Sequence, residues 1–352
     1  MSQFHKLTIK EVKKITPKAV TVLFDVPDTL KDKFQFEAGQ YVTVKKEIGG
    51  KELRRDYSIC SSPLSGQIKV GIKKVEGGTF SVYANDDLKV GDILEVHEPN
   101  GRFTFIPNKS ISRNIAAFAA GSGITPVISI MKTVLKEEPE SNFVLIYGNK
   151  TITDSMFHDE ILELKLKYPG RLSVYFVYSR TQEENSIFGR IEKSTVNFVI
   201  KNKHKNIDFD SFYLCGPEAM IKTVSEALKD TGVSNSKIHF ELFTYTSPVE
   251  NVIPDAVPEG KTKIKVLLDD EETEFIMDKK TRVLDAVLKH NLDAPYSCQG
   301  GICSSCIAKL KEGEVKMVKN QILTDGEIEE GFILTCQSHP VTDSVFIDYD
   351  DV

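Results

Sequence analysis

Tryptophan is absent from this 352-residue chain, and cysteine is scarce, with six residues. No internal repeat or low-complexity tract is present, which excludes solenoid and compositionally biased architectures. The first ten residues lack a basic segment followed by an apolar one, so secretion is not expected. Long hydrophobic runs are also missing, because the longest weakly charged apolar stretch, residues 115–131, contains several turn-forming residues. That stretch predicts a strand, a turn and a helix rather than a membrane span.

The chain also has no excess of positive charge, because its net charge is −6. A negative net charge disfavours a general nucleic-acid-binding surface. Residues 261–352 hold 11 Lys and Arg against 18 Asp and Glu, a net of −7, whereas the preceding residues have a net of +1. This step in charge indicates a domain boundary. With 40% hydrophobic and 27% charged residues, the composition excludes wholesale disorder.

The hydrophobic patterns change along the chain and predict three kinds of domain. Before Pro107, short β-branched segments separated by Gly, Pro, Asp and Asn favour an antiparallel barrel or sandwich: 19–24, 40–44, 67–72 and 92–96. After Pro107, strand-like segments alternate with helical ones, which favours a doubly wound parallel sheet: 115–120, 143–147, 172–177 and 211–214. We therefore expect three domains, at residues 1–107, 108–245 and 262–352. A proline-bearing linker at 246–261 is expected to join the second domain to the third.

Three cysteines near the C-terminus form the pattern C-x4-C-x2-C, and a fourth follows after 29 intervening residues: Cys298, Cys303, Cys306 and Cys336. This is the spacing of plant-type [2Fe–2S] clusters, in which four thiolates converge on two irons. Gly300 and Gly301 allow the loop backbone to wrap closely around such a group. A zinc site that uses His339, a disulfide pair and buried structural thiols are the alternatives. In a cytosolic protein, the six cysteines are not expected to form three disulfides.

Residues 294–306 (APYSCQGGICSSC) resemble the cluster loop of plant-type ferredoxins. The resemblance implies that the last 90 or so residues form a β-grasp, ferredoxin-like α+β domain. All four cysteines are then cluster ligands.

An R-x-Y-S motif lies within the strand-rich region, formed by Arg55, Asp56, Tyr57 and Ser58. Arginine can hold a phosphate with two hydrogen bonds, a tyrosine ring can pack on a flat ring system, and a hydroxyl can hydrogen-bond beside it. The motif resembles the flavin signature of the ferredoxin-NADP reductase family, and this implies a flavin-binding β-barrel. An exposed strand is the alternative for the motif alone. The family contains FAD and FMN members, and we expect FAD.

Residues 77–81 (GGTFS) resemble the second flavin motif of the same family. The resemblance implies a short helix whose first N–H groups meet the flavin phosphates. It also implies that the preceding strand approaches the flavin tail, although a solvated lysine is the alternative for Lys73. The flavin contacts expected from this region are Ile72, Lys73, Gly78, Thr79, Phe80 and Ser81.

Residues 121–126 (GSGITP) follow an apolar strand and precede a helix, the context of a pyrophosphate-binding turn. The turn departs from G-x-G-x-x-G because Pro126 replaces the third glycine, and proline is favourable at a helix start. The form G-x-G-x-T-P resembles the nicotinamide-nucleotide turn of the reductase family. The contacts expected here are Gly121, Ser122, Gly123, Ile124, Thr125 and Pro126.

Residues 214–220 (LCGPEAM) resemble the C-G-P-x-x-M motif that lies at the nicotinamide in this family, and residues 241–243 (ELF) resemble its E-x-[F/Y] segment beside the flavin. A small buried thiol and a buried aromatic ring are the alternatives. The cofactor contacts that the resemblance implies are Cys215, Gly216, Pro217, Met220 and Phe243. It also implies that Ser58, Cys215 and Glu241 position and polarise hydride transfer to the flavin.

The third strand of the parallel sheet ends in Tyr178, Ser179 and Arg180, without the acidic residue that many NAD sites place on the ribose. A Ser-Arg pair at this point resembles the NADPH-selecting site of the family. Arg180 is then expected to bind the 2′-phosphate, with Ser179 adding a hydrogen bond. An exposed arginine after a strand is the alternative, and NADH remains possible.

Together the resemblances cover essentially the whole chain and are similar to the reductase components of bacterial oxygenases, those of phenylacetyl-CoA epoxidases and phthalate dioxygenase among them. They imply a cytoplasmic NAD(P)H-dependent oxidoreductase that passes electrons from NADPH through FAD and a [2Fe–2S] cluster to an oxygenase-type partner such as a phenylacetyl-CoA epoxidase. The alternatives are a reductase for a Rieske-type dioxygenase, a stand-alone reductase of a small acceptor, and a non-enzymatic redox sensor.

Overall fold

The computed structural model describes residues 4–243 and 259–352, and the predicted linker lies almost wholly outside these residues. The described residues fall into two compact units, one within residues 4–243 and the other within residues 259–352. No helix among the described residues has the length and apolar character needed to cross a lipid bilayer.

The first part of the larger unit is a six-stranded antiparallel barrel with one helix. Its strands are β1 (His5–Thr16), β2 (Ala19–Asp25), β3 (Tyr41–Ile48), β4 (Lys51–Ser58), β5 (Lys69–Lys73) and β6 (Ile93–Val96), in the order β4-β3-β6-β1-β2-β5. Helix α1 spans Thr79–Asp86. An antiparallel bridge between Ile59 and Val70 joins the two outer strands and closes the barrel. The predicted antiparallel barrel is confirmed.

Alternation of side chains along the strands explains the barrel core. In β1, Leu7 and Ile9 are buried while their neighbours Thr8 and Lys10 are exposed, which is the period of two expected for a strand with one buried face. Every residue of β2 except the terminal Asp25 is buried, because the barrel lies on one of its faces and the neighbouring domain covers the other. This burial ties the barrel to the second part of the same unit.

The second part is a six-stranded parallel sheet flanked by helices. Its strands are β7 (Asn114–Ala120), β8 (Asn142–Asn149), β9 (Leu172–Tyr178), β10 (Ile187–Phe188), β11 (Ser211–Gly216) and β12 (Ile238–Leu242). Its helices are α2 (Ile124–Glu137), α3 (His158–Lys167), α4 (Lys193–Val196) and α5 (Glu218–Lys229), and a π-helical turn spans Asn197–Lys203. The predicted doubly wound sheet is confirmed.

The strand order β10-β9-β8-β7-β11-β12 reverses direction between β7 and β11. In open parallel sheets, ligands bind beyond the carboxyl ends of the strands at such a reversal. The turn at Gly121 follows β7 and the segment at Gly216 ends β11, so the two motifs singled out in the sequence meet at this point.

The smaller unit contains a five-stranded mixed sheet in the order β14-β13-β19-β15-β17. Its strands are β13 (Lys261–Leu268), β14 (Glu271–Asp278), β15 (Ile307–Glu312), β17 (Phe332–Leu334) and β19 (Ser344–Asp348). A second, two-stranded sheet pairs β16 (Val315–Met317) with β18 (Ser338–Pro340), and the helices are α6 (Val283–Lys289) and α7 (Asp325–Glu329). The core of this unit includes Cys306 and Cys336, so the sheet and α6 support the cysteine loop.

One helix starts later than its sequence pattern indicates. Acidic and apolar residues predict a helix over 154–167, but α3 begins at His158. Phe157 adopts a left-handed backbone with a φ of 58°, which breaks the helical path at that point. The break turns the Phe157 side chain into the core between the barrel and the parallel sheet.

Candidate flavin, nicotinamide and cluster sites

Arg55 and Tyr57 lie on the same face of β4, because side chains two residues apart share a face of a strand. The Tyr57 ring lies 5.5 Å from the ring of Phe80 in α1, measured between centroids, and this contact connects the two predicted flavin motifs. Burial raises the pKa of Tyr57, so the phenol stays neutral. Arg55 donates one hydrogen bond, 2.6 Å long, to the carbonyl oxygen of Arg54, which leaves most of its N–H groups for a ligand.

Asp56 and Ser58 lie on the other face of β4. The Asp56 carboxylate accepts a 2.6 Å hydrogen bond from the hydroxyl of Thr43 on the neighbouring strand. Asp56 is therefore held within the sheet, whereas Arg55 and Tyr57 line the side that α1 approaches.

The start of α1 has the features of a phosphate-binding helix end. Gly78 is its N-cap and provides no side-chain hydrogen bond to the first N–H groups of the helix. A side chain at Gly78 would place Cβ 2.6 Å from the Ser81 hydroxyl oxygen, so glycine is required there. That hydroxyl accepts a 3.1 Å hydrogen bond from the backbone N–H of Val75 and fixes the loop. The N–H groups of Thr79 and Phe80 are thereby presented for a phosphate.

Lys73, at the end of β5, reaches the nicotinamide-nucleotide turn. Its Nζ lies 3.7 Å from the position that a Cβ of Gly121 would occupy. Burial lowers the pKa of Lys73, and the charge of Asp154 opposes this effect. A fully solvated lysine does not fit this environment, and an ammonium group beside the turn is suited to a pyrophosphate. Ile72, next to it, is buried in the barrel.

The turn between β7 and α2 is a short 3-10 segment, Gly121–Gly123, and α2 follows at Ile124. Gly121 has a φ of 57°, and its carbonyl oxygen accepts a 3.0 Å hydrogen bond from the hydroxyl of Tyr147. The Thr125 hydroxyl donates to the carbonyl oxygen of Ser122 at 2.9 Å. No side chain caps the helix, and Pro126 lies in the first turn, where its missing N–H costs no helical hydrogen bond. The geometry is that of an anion-binding helix start.

Cys215 lies in β11, opposite Ala119 of β7 on one side and Glu241 of β12 on the other. It is fully buried, and burial followed by the charge of Glu241 raises the pKa of its thiol well above the usual value. Cys215 is therefore a neutral thiol. Its backbone carbonyl lies so close to Gly123 that a Cβ there would be 2.1 Å from the oxygen.

The segment after Cys215 opens into α5. Gly216 has a φ of 157° and Pro217 is the N-cap of the helix. Met220 is buried, and its terminal methyl group would be 3.0 Å from a Cβ at Gly216. A Cβ at Gly216 would also lie 3.1 Å from that of Ala120, so the end of β11 packs closely against the end of β7 and the start of α5.

Glu241 connects the parallel sheet to the barrel. The Ser58 hydroxyl donates to the Glu241 carboxylate at 3.4 Å, although the two residues are 183 positions apart. Burial, reinforced by the charge of Asp56 and opposed by the Ser58 hydrogen bond, raises the pKa of Glu241 to about 8. Ser58, Cys215 and Glu241 therefore lie near one another, and their role in hydride transfer stays a prediction. Phe243 follows on the same segment and packs against the core shared by the two domains.

Ser179 and Arg180 follow β9 and are held by their backbones. Their N–H groups donate to the carbonyl oxygens of Asn149 and Lys150 at 3.0 Å and 2.9 Å. The Arg180 side chain is exposed, and within residues 4–243 and 259–352 it forms no ion pair or side-chain hydrogen bond. Its guanidinium is available for an anionic ligand at the carboxyl end of β9.

Three residues that sequence reasoning missed lie at the same edge of the sheet. The side-chain amide of Asn149 and the hydroxyls of Tyr178 and Thr181 are buried and have no hydrogen-bond partner in the described part of the chain. Buried polar groups are usually paired, so these atoms are suited to meet a nucleotide. Their position at the ends of β8 and β9 is the signal that could have identified them.

The four predicted cluster cysteines converge in the smaller unit. Cys298, Cys306 and Cys336 are buried, whereas Cys303 is partly exposed, and none forms a disulfide. The backbone N–H of Gly300 donates to the Cys298 sulfur at 3.3 Å. Gly301 has a φ of 69°, and a Cβ there would lie 2.7 Å from the Lys319 carbonyl oxygen. The loop conformation therefore requires glycine.

The pKa shifts of these thiols agree with a site that binds a positively charged group of two irons. Hydrogen bonds from Cys303 and Cys336, followed by those from backbone N–H groups, lower the pKa of Cys298. The pKa of Cys336 is raised by its hydrogen bonds with Cys298 and Cys306 and by burial. Four neighbouring sulfurs can all be thiolates only around a compensating positive charge, and two iron ions supply it.

A single metal ion fits less well. Across the described ranges, no group of three or more His, Cys, Asp and Glu side chains has the geometry to hold one metal ion. Both ring nitrogens of His339 are buried and lack a hydrogen-bond partner in these ranges, and within them His339 belongs to no group of three or more such side chains. A binuclear cluster needs no common centre, because each iron takes two of the four thiolates.

Three family models match the chain in this order. They are an oxidoreductase FAD-binding domain over residues 6–105, an oxidoreductase NAD-binding domain over residues 118–226 and a 2Fe-2S iron-sulfur cluster binding domain over residues 266–341. The matches contain the residues described above for each cofactor except Glu241 and Phe243, which lie outside all three ranges. The expected FAD, nicotinamide nucleotide and [2Fe–2S] cluster are confirmed at the level of these domains.

Similar proteins span the whole chain. One subunit of the 1,2-phenylacetyl-CoA epoxidase of Escherichia coli (strain K12) is 38% identical, and the alignment covers 99% of each chain. The ferredoxin reductase component of the 3-ketosteroid-9-alpha-monooxygenase of Rhodococcus rhodochrous is 34% identical, over 97% of this chain and 96% of that one. The solved structure of phthalate dioxygenase reductase, 22% identical, superimposes with a TM-score of 0.61 over 98% of each chain and shows the same fold. With this domain order and these relatives, the chain belongs to the family of ferredoxin-NADP reductase-type flavoprotein oxidoreductases that carry a C-terminal plant-type [2Fe–2S] domain.

Proposed function

We propose that this oxidoreductase takes a hydride from NADPH and delivers electrons one at a time to an oxygenase component, of the type that the phenylacetyl-CoA epoxidase relative serves. The observation that carries the proposal is the hydrogen bond between Ser58 and Glu241. It joins the flavin strand of the barrel to the strand beside Cys215, at the reversal point of the parallel sheet.

When bound, FAD accepts a hydride and gives up electrons singly, and the cluster carries one electron at a time. The residues of this chain control the surroundings of that exchange. Glu241, with its pKa of about 8, is mostly protonated at neutral pH, so its carboxyl group can donate a hydrogen bond as well as accept the one from Ser58. The neutral, buried thiol of Cys215 lies beside Glu241 on the neighbouring strand and adds no charge there.

The nucleotide is proposed to lie along the carboxyl edge of the parallel sheet. N–H groups of residues 121–125 and the ammonium group of Lys73 would hold the pyrophosphate. Arg180 and Ser179 would hold the 2′-phosphate, which gives a preference for NADPH over NADH. Gly123 and Gly216 allow the turn, β7 and β11 to pack closely together, and Gly121 leaves space beside Lys73 for the pyrophosphate.

The acceptor is proposed to be a protein. Plant-type clusters have potentials near about −400 mV, low enough to reduce a partner metal centre. The net charge of −7 over residues 261–352 would steer this domain toward a basic patch on the partner. The protein is proposed to act in the cytoplasm, where thiols stay reduced and the four ligand cysteines remain available to the cluster.

The domain limits remain proposals at 1–107, 108–245 and 262–352. The linker at 246–261 is proposed to let the cluster domain alternate between flavin and partner. Shortening the linker should slow transfer to an external acceptor without changing flavin reduction by NADPH. Kinetics that do not respond to linker length would contradict this role.

A reconstituted assay tests the proposed function. The purified holoprotein is mixed with NADPH and either a co-expressed oxygenase component or ferricyanide, and acceptor turnover is measured. Product formation by the oxygenase that depends on this protein supports the proposal. Turnover of the small acceptor alone, with every candidate oxygenase component unreduced, would show a stand-alone reductase instead.

A further inference from the structure

A cleft that the proposed electron path does not use lies between the barrel and the helices α2 and α3. Its volume is about 390 Å³, within the range of small-molecule pockets. Residues of β1, β2 and β5 form one wall, and residues of the second half of α2 and of α3 form the other. Lys136, on this wall, is twelve residues after the start of α2, which places it about 18 Å along the helix from the dinucleotide turn.

The charge of this cleft is strongly positive, although the chain as a whole is acidic. Five lysines line it, Lys13, Lys69, Lys132, Lys136 and Lys167, against the single carboxylate of Glu160.

Two of these lysines are already neutralised. Lys132 lies 2.6 Å from the Glu160 carboxylate and donates to the carbonyl oxygen of Cys60 at 3.0 Å. Lys69 lies 3.5 Å from the carboxylate of Glu11.

The other three lysines have no compensating acid. Within residues 4–243 and 259–352, Lys13, Lys136 and Lys167 are exposed and lie within 4.0 Å of no carboxylate. The Lys167 ammonium group lies over the ring of Tyr168, 5.5 Å from its centroid. Three uncompensated cations around one cleft attract a multiply charged anion rather than a single carboxylate.

The floor of the cleft is apolar and aromatic. Ile15, Phe157, Leu164 and Tyr168 line it and are partly or fully buried in the core between the two domains. Apolar walls with a few charged groups at the rim are typical of sites for organic ligands. Burial raises the pKa of Cys60, also in the lining, to about 12, so the cleft holds no reactive thiolate and its chemistry is binding.

We propose that this cleft is a second ligand site, which binds an organic phosphate with an aromatic or apolar group, such as the nucleotide end of coenzyme A or a free adenine nucleotide. The phosphates would lie among Lys13, Lys136 and Lys167, and the ring against the partly exposed side chains of Leu164 and Tyr168. The inference does not depend on the identity of the electron acceptor.

Calorimetric titration of the holoprotein tests this site while saturating NADP⁺ occupies the dinucleotide site. The probes are coenzyme A, ADP and inorganic phosphate. Saturable binding of coenzyme A or ADP is expected, at least about tenfold weaker in the double variant Lys136→Ala, Lys167→Ala. The matched control Lys205→Ala, Lys229→Ala, which removes two exposed lysines elsewhere, should bind within about twofold of wild type.

Each outcome decides the proposal. Tighter binding of coenzyme A than of ADP would identify a coenzyme A thioester as the source, and equal or tighter binding of ADP a free nucleotide. The site is refuted if neither organic probe binds in the presence of NADP⁺, if the double variant binds as well as wild type, or if phosphate alone binds as tightly as the organic probes. NADPH-dependent flavin reduction in the double variant should equal that of wild type, which separates this test from the redox proposal.

Discussion

Gly123 offers the sharpest test of how the dinucleotide turn and the nicotinamide strand fit together. In Gly123→Ala, the new Cβ would lie 2.1 Å from the carbonyl oxygen of Cys215, and ordinary contacts begin at 3.4 Å. The turn and β11 must therefore separate by about 1.3 Å. Overpacking of this kind costs about 1–3 kcal/mol of folding free energy, and a displacement near 1 Å at a reaction centre can slow the reaction about 100-fold.

Stopped-flow absorbance measures the rate of flavin reduction by NADPH in Gly123→Ala. We expect a fall of about 100-fold with unchanged flavin and iron content, because the barrel motifs and the cysteine loop are formed by other segments of the sequence. Gly326→Ala is the matched control, since a Cβ at Gly326 meets no atom within 4 Å. A Gly123→Ala protein that is reduced within twofold of the wild-type rate, at wild-type stability, would refute the proposed close packing of turn and strand.

Three further predictions follow from single side chains. Arg180→Ala should lower the ratio of kcat/KM for NADPH over NADH by at least about tenfold through loss of a charge-assisted contact, and an unchanged ratio in steady-state assays would reject the 2′-phosphate role. The pKa of Glu241 is raised from 4.5 to about 8, so its carboxyl group loses the proton at a lower pH in the unfolded state than in the folded state. The free energy of unfolding should therefore fall as the pH rises from about 4.5 to about 8. Chemical denaturation of Glu241→Gln should show no such fall, and a pH dependence identical to that of wild type would contradict the assignment. Cys303→Ala should abolish the cluster signal in electron paramagnetic resonance while flavin reduction by NADPH stays within about twofold, and a retained cluster would show that Cys303 is not a ligand.

Much of this architecture could be predicted from local sequence, because its parts depend on short-range patterns. The cysteine spacing and Gly301 are constraints within one loop, and the turn at 121–126 lies between an apolar strand and a helix. Such patterns involve residues that are close in sequence, so they can be identified before the fold is known.

Features that depend on contacts between distant parts of the chain were harder to predict from the sequence. The raised pKa of Glu241 arises from its burial beside Asp56 and Ser58, which come from a strand more than 180 residues earlier. Asn149 and Tyr178 are ordinary strand residues in sequence, and only the packing of the sheet shows that their polar groups are buried without a hydrogen-bond partner among the described residues. The cleft between the barrel and α2 likewise exists only after the two domains pack together.

The central claim is that hydride-derived electrons leave through a [2Fe–2S] cluster within the same chain. Anaerobic addition of NADPH to the reconstituted protein, followed by visible absorbance and electron paramagnetic resonance, tests it most directly. The account predicts that the flavin absorbance bleaches and that the signal of a reduced [2Fe–2S] cluster then develops, with two irons and two sulfides per chain. Protein that retains oxidised flavin after mixing, or that holds flavin but no iron and sulfide, would contradict it.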